Sequence, residues 1–184
     1  MTFVETAVAG CWEVVPTPRA DERGFFARVW DREAFAARGL STDFVQANNS
    51  ACRHRGTLRG LHWQDATAPE AKLVRCIAGR VFDVVADTRP NSPTFGAWTG
   101  LELAAETRHL LYVPPGCAHG YLALEDHAEV LYAVTGAYAP TAERGLRWDD
   151  PAFGIVWPSV GDMVVSDKDR SWPDFVDRPG EVSR

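Results

Sequence analysis

Short apolar segments recur about every ten residues along most of this chain, and clusters of Gly, Pro, Asn and Asp separate them. The clearest segments are residues 80–85, 97–103, 109–113, 120–124 and 128–134. Within the first of them, Val81, Asp83 and Val85 share one face. Turns are indicated at residues 87–93 and at Pro114-Pro115-Gly116. This alternation of strands and turns predicts an all-β chain, built as a sandwich or a barrel.

Strand spacing of this kind is typical of a jelly-roll or cupin barrel with a few short helices. Helices are predicted for residues 31–38 and for a short piece at residues 172–176. The 184 residues suit a single domain with one core, and the sequence contains no linker and no internal repeat. The polar tail from residue 177 onward is expected to be loose.

Charge and composition argue against several classes of function. The net charge of −6 disfavours nucleic acid as a partner, because phosphate backbones select basic surfaces. No segment approaches the ~20 apolar residues that span a membrane, so no membrane association is predicted. The N-terminal segment carries Glu5 and no basic cluster, so no secretory signal is predicted. The four cysteines form no Cys-x-x-Cys pair and are interpreted as free thiols of a cytoplasmic protein.

Six short motifs occur in one order along the chain. They are Arg23-Gly24-Phe25-Phe26, Leu58-Arg59-Gly60-Leu61-His62, Lys72-Leu73-Val74-Arg75, Ser92-Pro93-Thr94-Phe95-Gly96, Pro115-Gly116-Cys117-Ala118-His119-Gly120 and Glu143-Arg144-Gly145-Leu146-Arg147-Trp148-Asp149-Asp150-Pro151. This set resembles the dTDP-4-dehydrorhamnose 3,5-epimerases, a family of cupin-type nucleotide-sugar epimerases, from about residue 23 to residue 169. The resemblance implies a cupin fold, a homodimer and a dTDP-linked sugar as substrate.

Four residues suit proton abstraction beside a carbonyl group. A histidine backed by a buried carboxylate can act as a general base near neutral pH. We interpret His62 as this base and Asp169 as its carboxylate. Asp167 is a competing partner, because the sequence does not decide which carboxylate turns inward. By resemblance, Lys72 lies near the carbonyl oxygen of the substrate and Tyr132 is the acid. The ketone of the substrate is itself the electron sink, so no cofactor is predicted.

The resemblance also implies which residues bind the substrate, a nucleotide-linked 4-keto-6-deoxyhexose that is epimerised at C3 and C5. Its anionic diphosphate requires cations and N–H donors. The positions that match the family's binding residues are Arg23, Gln46, Asn48, Arg59, His119, Tyr138, Glu143 and Lys168. Among them, Tyr138 is the aromatic residue expected to stack on the base.

Two positions depart from the family pattern near the nucleotide base. Arg28 stands where the family usually has a glutamate that accepts a hydrogen bond from thymine, and a guanidinium cannot accept one. Ala47 replaces a polar residue. Arg28 is therefore expected either to bind the substrate through a phosphate or to pair with a carboxylate such as Glu22. Base selection is predicted to be looser than in a strict thymidine enzyme.

Other activities stay open at this point. A close variant would epimerise C3 or C5 alone, or act on another nucleotide sugar. Further alternatives are a cupin ketoisomerase and a sugar-binding cupin without activity, and His62, Lys72 and Tyr132 together argue against both. A metal site is not predicted. Metal-binding cupins share the Pro-x-Gly-x-x-His segment that ends at His119, but they need a His-x-His where this chain has a single histidine, His62.

Overall fold

Strands are the main regular structure of the protein, whose computed structural model describes residues 1–175. Fourteen strands and two short helices occur within these residues. The strands are β1 Thr2–Glu5, β2 Trp12–Val15, β3 Arg19–Asp21, β4 Gly24–Phe26, β5 Gln46–Cys52, β6 Thr57–Gln64, β7 Lys72–Ala78, β8 Arg80–Asp87, β9 Trp98–Ala104, β10 Leu110–Val113, β11 Cys117–Ala123, β12 Ala128–Val134, β13 Glu143–Gly145 and β14 Val164–Val165. The helices are α1 Arg32–Ala36 and α2 Asp167–Arg170.

Two sheets of mostly antiparallel strands form the body of the fold. The strand order is β1-β2-β10-β7-β12-β5 in the first sheet and β13-β6-β11-β8-β9 in the second, where β14 also pairs with β6. The strands β3 and β4 form a separate hairpin. Neighbours in each sheet are often distant in sequence, as expected when strands cross between the two halves of a jelly roll. The predicted all-β jelly-roll fold is confirmed.

The core lies between the two sheets, where each contributes an apolar face. Val74 and Val130 of the first sheet are fully buried in one cluster with Val81 of the second. Each such side chain stabilises the fold by about 1.5–3 kcal/mol when it leaves water. Tyr121 and Tyr132 belong to the margin of this cluster and also line a cavity between the sheets. The apolar core therefore ends where the candidate site begins.

The strands predicted from sequence occur with small changes at their ends, and Ala128–Val134 has the predicted bounds. The helix predicted for residues 31–38 is shorter. It begins after Asp31, whose carboxylate caps it by accepting a hydrogen bond from the Ala34 N–H. Phe35 fixes the helix to the fold, because its ring is fully buried.

The second predicted helix is wrong for residues 172–175, which contain no helix. Pro173 has no N–H group to donate within a helix, which disfavours a helix through this position. A one-turn helix, α2, instead lies just before it and is capped by Ser166. Residue 176 and the tail from residue 177, for which a loose conformation is predicted, lie outside the described residues.

A buried carboxylate anchors the turn that follows β8. Asp87 accepts hydrogen bonds from Arg89 at 2.8 Å, from Ser92 at 2.5 Å and from Thr94 at 2.6 Å. Burial acts to raise the pKa of Asp87, but these hydrogen bonds outweigh it and lower the pKa to about 2. The Ser92-Pro93-Thr94 motif therefore serves to hold this turn in place.

Replacing Asp87 with asparagine is expected to lower the free energy of unfolding by about 3 kcal/mol at neutral pH. A carboxylate whose pKa is depressed in the folded state stabilises the fold above its unfolded pKa, and this contribution is lost as the pH falls toward about 2. The gap between wild type and Asp87→Asn should therefore shrink below about pH 5. Urea unfolding over a pH series measures the gap, and a gap independent of pH would contradict this explanation.

Candidate active site

A cavity of about 500 Å³ opens between the two sheets, and an adjoining cavity of about 340 Å³ shares part of its wall. His62, Lys72 and Tyr132 line both of them. The predicted site residues that line one or both cavities are Gln46, Asn48, Arg59, His62, Lys72, His119, Tyr132, Tyr138, Glu143, Lys168 and Asp169. The fold thus brings together eleven of the thirteen predicted site residues, all except Arg23 and Arg28.

His62 and Asp169 form a short contact at the wall of the larger cavity. His62 Nε2 lies 2.6 Å from Asp169 Oδ1, and Asp169 Oδ2 accepts a hydrogen bond from the Gly60 N–H. Burial acts to raise the pKa of Asp169, but its hydrogen bond with His62 and the positive charge that this ring carries when protonated lower the pKa overall. The carboxylate therefore stays ionised and fixes Nε2 as the protonated ring nitrogen. Nδ1 is then the nitrogen that can take a proton.

Helix α2 decides which aspartate faces the histidine. Asp169 lies on the inner side of this single turn, with its side chain 6% exposed, whereas Asp167 is exposed. Ser166 Oγ accepts a hydrogen bond from the Asp169 N–H and sets the phase of the turn. The structure therefore places Asp169, and not Asp167, against the imidazole ring.

A second histidine lies opposite the first in the sheet. His119 on β11 is the direct cross-strand neighbour of His62 on β6. The two strands approach closely here, since a Cβ added at Gly60 would lie 2.6 Å from Gly120 Cα. His119 is buried, and its Nε2 lies 2.8 Å from Asp83 Oδ1. Two carboxylate-backed histidines therefore line the same cavity.

Asp83 is a site residue that sequence reasoning missed. It is fully buried on β8, and its second carboxylate oxygen has no hydrogen-bond partner within residues 1–175. The sequence contains a signal for it, because Asp83 shares a strand face with the apolar residues Val81 and Val85. A charged residue on such a face is rarely buried without a partner, so the pattern indicates a paired, buried carboxylate. Its partner, His119, is distant in sequence, and only the pairing of β8 with β11 brings the two together.

Lys72 and Tyr132 face the histidines from the other sheet. Lys72 begins β7 and is nearly buried, and its Nζ donates to the His62 carbonyl oxygen and lies 3.3 Å from Glu70 Oε1. Tyr132 is on the neighbouring strand β12. Burial raises the pKa of the Tyr132 phenol, the nearby Glu70 carboxylate raises it further, and Arg59 lowers it. Tyr132 is therefore a neutral phenol, able to donate a proton.

The smaller cavity ends in a cluster of polar side chains around Glu143. Its carboxylate accepts hydrogen bonds from Tyr138 Oη at 3.0 Å and from Lys168 Nζ at 2.6 Å. The Tyr138 N–H in turn donates to Gln46 Oε1. Tyr138 is 61% exposed, so it offers an open aromatic surface beside the cavity.

Trp172 is a further residue that the sequence did not indicate. Its indole packs directly on Gly145, and a Cβ added at this position would overlap the indole ring. Position 145 of the motif that begins at Glu143 therefore requires a glycine. The same indole lies edge-on to the His62 ring, with 6.3 Å between the ring centres. Trp172 therefore restricts how the His62 ring can tilt.

Arg23 and Arg28 lie outside both cavities. Arg23 is in the β3–β4 hairpin, is 84% exposed and pairs with Asp21. Arg28 forms an ion pair with Asp31 at 3.0 Å, and not with Glu22, the carboxylate suggested from sequence. Substrate binding by these two arginines stays a prediction.

The described residues offer neither a metal cluster nor a helix that could span a membrane. Within residues 1–175, no three His, Cys, Asp or Glu side chains converge as a metal site would require. No helix in this part of the chain has the length and apolar character needed to cross a membrane. All four cysteines are buried and free.

The fold and this cavity define a jelly-roll protein equipped for acid–base chemistry on a carbonyl compound. The family model described as dTDP-4-dehydrorhamnose 3,5-epimerase matches residues 5–177. An enzyme of that name from Methanothermobacter thermautotrophicus is 44% identical over an alignment of 179 residues, which covers 96% of this chain and 96% of that protein. The chain belongs to the dTDP-4-dehydrorhamnose 3,5-epimerase family, and the resemblance seen in its motifs is confirmed.

Solved structures give the same result. A dTDP-4-dehydrorhamnose 3,5-epimerase from Elizabethkingia anophelis NUHP1 is 40% identical and superposes with a TM-score of 0.92, covering 95% of this chain and 96% of that one. A 3'-monoepimerase from Streptomyces bikiniensis, in complex with dTDP-quinovose, is 34% identical with a TM-score of 0.85, over 92% of this chain and 85% of that one. The fold is thus shared by epimerases that differ in the number of centres they invert.

Proposed function

We propose that this chain converts dTDP-4-dehydro-6-deoxyglucose to dTDP-4-dehydrorhamnose, using His62 as base and Tyr132 as acid. The chain is a sugar-nucleotide 3,5-epimerase by family, and epimerisation at C3 and C5 of a dTDP-linked 4-keto-6-deoxyhexose is the activity of that family. One observation supports the residue roles above all others. The carboxylate-backed His62 belongs to one sheet and Tyr132 to the other, and both line the same cavity.

The first half-reaction is removal of a proton beside the ketone. His62 Nδ1 takes the proton from C3 or C5, and the electron pair of the C–H bond moves toward the C4 carbonyl oxygen. Asp169 stabilises the imidazolium that forms. Lys72 meets the negative charge that develops on the oxygen, which is a fixed charge placed where the transition state needs it.

The second half-reaction returns a proton from the opposite face. Tyr132 donates its phenolic proton to the same carbon, the enolate electrons form the new C–H bond, and the centre is inverted. Proton exchange with water then restores the neutral phenol and the neutral imidazole. The sugar could not be inverted by His62 alone, because the proton would return to the face it left.

The remaining cavity residues suit the nucleotide diphosphate. Arg59, His119 and Lys168 provide cationic or N–H groups for phosphate oxygens. Tyr138 offers its exposed ring to the base, and Gln46 lies beside it. The diphosphate therefore lies on the α2 side of the cavity in this proposal, with the base near Tyr138.

A homodimer would complete the site. Arg23 and Arg28, both predicted to bind substrate, lie outside the cavities of their own chain. The β3–β4 hairpin that carries Arg23 exposes two phenylalanines, Phe25 and Phe26. Adjacent exposed aromatic residues are a common mark of a protein interface. We therefore propose that this hairpin reaches the cavity of a second copy, and a dimer mass in sedimentation equilibrium would support it.

The number of inverted centres is tested by incubating the enzyme with the keto sugar in deuterated water. NMR of the product should show deuterium at both C3 and C5. Deuterium at C3 alone would favour a second candidate function, epimerisation at C3 only. This candidate is motivated by the structural similarity to the 3'-monoepimerase from Streptomyces bikiniensis. Movement of the ketone to another carbon would favour a ketoisomerase.

Selection of the base is expected to be weak. Arg28 cannot accept a hydrogen bond from thymine, and its guanidinium is engaged by Asp31. Each missing hydrogen bond costs about 0.5–1.5 kcal/mol, so dTDP should be preferred over UDP, CDP and GDP by less than roughly a hundredfold. Calorimetry measures the four affinities. Arg28→Gln, which offers an acceptor, should increase the preference, and Arg53→Gln is an exposed control. A preference above a hundredfold in the wild type would contradict the prediction.

A further inference from the structure

Glu70 is a carboxylate at the reacting end of the cavity that has no role in the mechanism above. It lies two residues before β7, and its side chain is 11% exposed. Oε1 is 3.3 Å from Lys72 Nζ, and Oε2 accepts a hydrogen bond from Gln64 Nε2 at 3.3 Å. Both oxygens are thus held by the protein, and a carboxylate this deeply buried needs such partners.

Gln64 makes the position of this carboxylate rigid. It is buried, and its amide nitrogen also donates to the carbonyl oxygens of Ala68 and Ala137. Its amide oxygen accepts from the Ala139 N–H at 2.6 Å. Through Gln64, the Glu70 side chain is therefore tied to the loop that precedes β7 and to the segment that follows β12.

Glu70 differs from the other carboxylates near Tyr132 in what it pairs with. Asp169 is paired with His62, and Glu143 is paired with Lys168. Glu70 is paired with Lys72. It is thus the carboxylate whose partner is the cation proposed to meet the enolate oxygen.

The charged and titratable groups that face Tyr132 come from several elements. Those that line the cavities with it are Arg59 and His62 from β6, Lys72 from β7, His119 and Tyr121 from β11, Glu143 from β13, Lys168 and Asp169 from α2, Glu70 from the loop before β7, and Tyr138 from the segment after β12. Among these groups, Glu70 is the carboxylate that raises the pKa of Tyr132 beyond the effect of burial, and Arg59 is the cation that lowers it. Strand β5, the other neighbour of β12, contributes uncharged side chains, Gln46, Asn48 and Ser50, to the cavities.

We propose that Glu70 is a positioning residue that holds the Lys72 ammonium at the ketone oxygen and places a negative charge in the cavity wall that it shares with Tyr132. The inference rests on the roles proposed for Lys72 and Tyr132. An ammonium group has three N–H donors. Lys72 Nζ donates one of them to the His62 carbonyl oxygen and is ion-paired with Glu70, so N–H donors remain for the substrate oxygen. The same negative charge opposes loss of the phenolic proton before the sugar is bound.

Glu70→Gln tests both parts, because glutamine keeps the shape and an acceptor oxygen for Gln64 but carries no charge. The Tyr132 phenol should titrate at lower pH in the variant. Ultraviolet difference absorbance measures this without substrate, with Tyr132→Phe in each background as the reference. In the plot of kcat against pH, the fall in rate at high pH should likewise move to lower pH. At neutral pH, kcat should fall roughly tenfold, because the ammonium loses the ion-pair partner that holds it in place.

Two further variants separate charge from shape. Glu70→Asp keeps the negative charge but is too short to reach both partners, so kcat should fall while the phenol titration stays near that of the wild type. Glu102→Gln removes a carboxylate that pairs with Arg80 on the surface, and it should change neither measurement. Thermal melts of all variants identify any general loss of folding.

The outcomes distinguish this inference from the proposed function. An unchanged phenol titration in Glu70→Gln would overturn the inference, whether or not kcat falls, because a purely structural role also lowers kcat. A phenol titration that moves without the kcat profile would support the electrostatic coupling. It would overturn the acid role of Tyr132 and, with it, the catalytic part of the inference. Movement of both supports the inference in full.

Discussion

Replacing His62 with asparagine is expected to abolish epimerisation, with a loss of product formation on the order of 10⁴-fold. Asparagine can still donate a hydrogen bond to Asp169, but it cannot take a proton from carbon at neutral pH. Exchange of solvent deuterium should stop at both C3 and C5, because one base serves both centres in the proposed mechanism. The affinity for dTDP should change little, since the diphosphate contacts are assigned to Arg59, His119 and Lys168.

The two aspartates of α2 provide a matched control for this prediction. Asp169→Asn should cost less than His62→Asn, because it misorients the imidazole without removing it. Asp167→Asn, two residues earlier on the exposed side of the same turn, should leave the rate close to that of the wild type. Label that enters the sugar at a near wild-type rate in His62→Asn would contradict the base assignment. A larger loss in Asp167→Asn than in Asp169→Asn would contradict the choice of carboxylate.

The fold was predictable where local pattern and tertiary structure agree. Residues 128–134 alternate between core and less buried positions and are bounded by turns, so the strand has the predicted bounds. Residues 172–176 contain aromatic and apolar residues at a spacing that suggests a short helix. In the described part of this segment, Pro173 disfavours a helix, and the Trp172 indole packs on Gly145 from another part of the chain. That contact depends on tertiary structure, which a local pattern does not record.

The site was predictable as a set of residues but not as a set of contacts. The motifs indicated His62 and Lys72, the family resemblance implied Tyr132, and the fold brings these three to one cavity. The choice between Asp167 and Asp169 depends on the phase of a single helical turn, which Ser166 sets through its cap. Sequence gave no reason to select Glu70, since a glutamate in a loop is usually solvated.

The separation of the two sheets allows the proposed base and the proposed acid to approach opposite faces of the sugar. A planar enolate must be approached from one face by the base and from the other by the acid if the centre is to invert. His62 is on β6 of one sheet, and Tyr132 is on β12 of the other. Strands of one sheet could not easily flank a sugar ring on both faces, whereas the two walls of a jelly-roll cavity can.

Replacing Tyr132 with phenylalanine is expected to separate the two half-reactions. Deprotonation by His62 should continue, because the base, its aspartate and Lys72 are untouched. Protonation from the opposite face should slow by roughly 10²–10⁴-fold, the usual contribution of a general acid. Starting sugar recovered from deuterated water should then carry deuterium in its original configuration, because the proton returns from the His62 side. Product formation and the label in recovered substrate are measured in one NMR time course.

A matched tyrosine controls for the loss of a hydroxyl group from the cavity wall. Tyr121 lines the same cavity from the sheet that carries His62, and its hydroxyl donates to Ser50 Oγ at 2.9 Å. Tyr121→Phe should therefore slow epimerisation far less than Tyr132→Phe, since its proton lies on the same side as the base. Equal activity of Tyr132→Phe and the wild type would return Tyr132 to a packing role. Loss of both exchange and product would mean that Tyr132 is needed for deprotonation itself, and that inversion at this site does not depend on an acid facing His62 across the cavity.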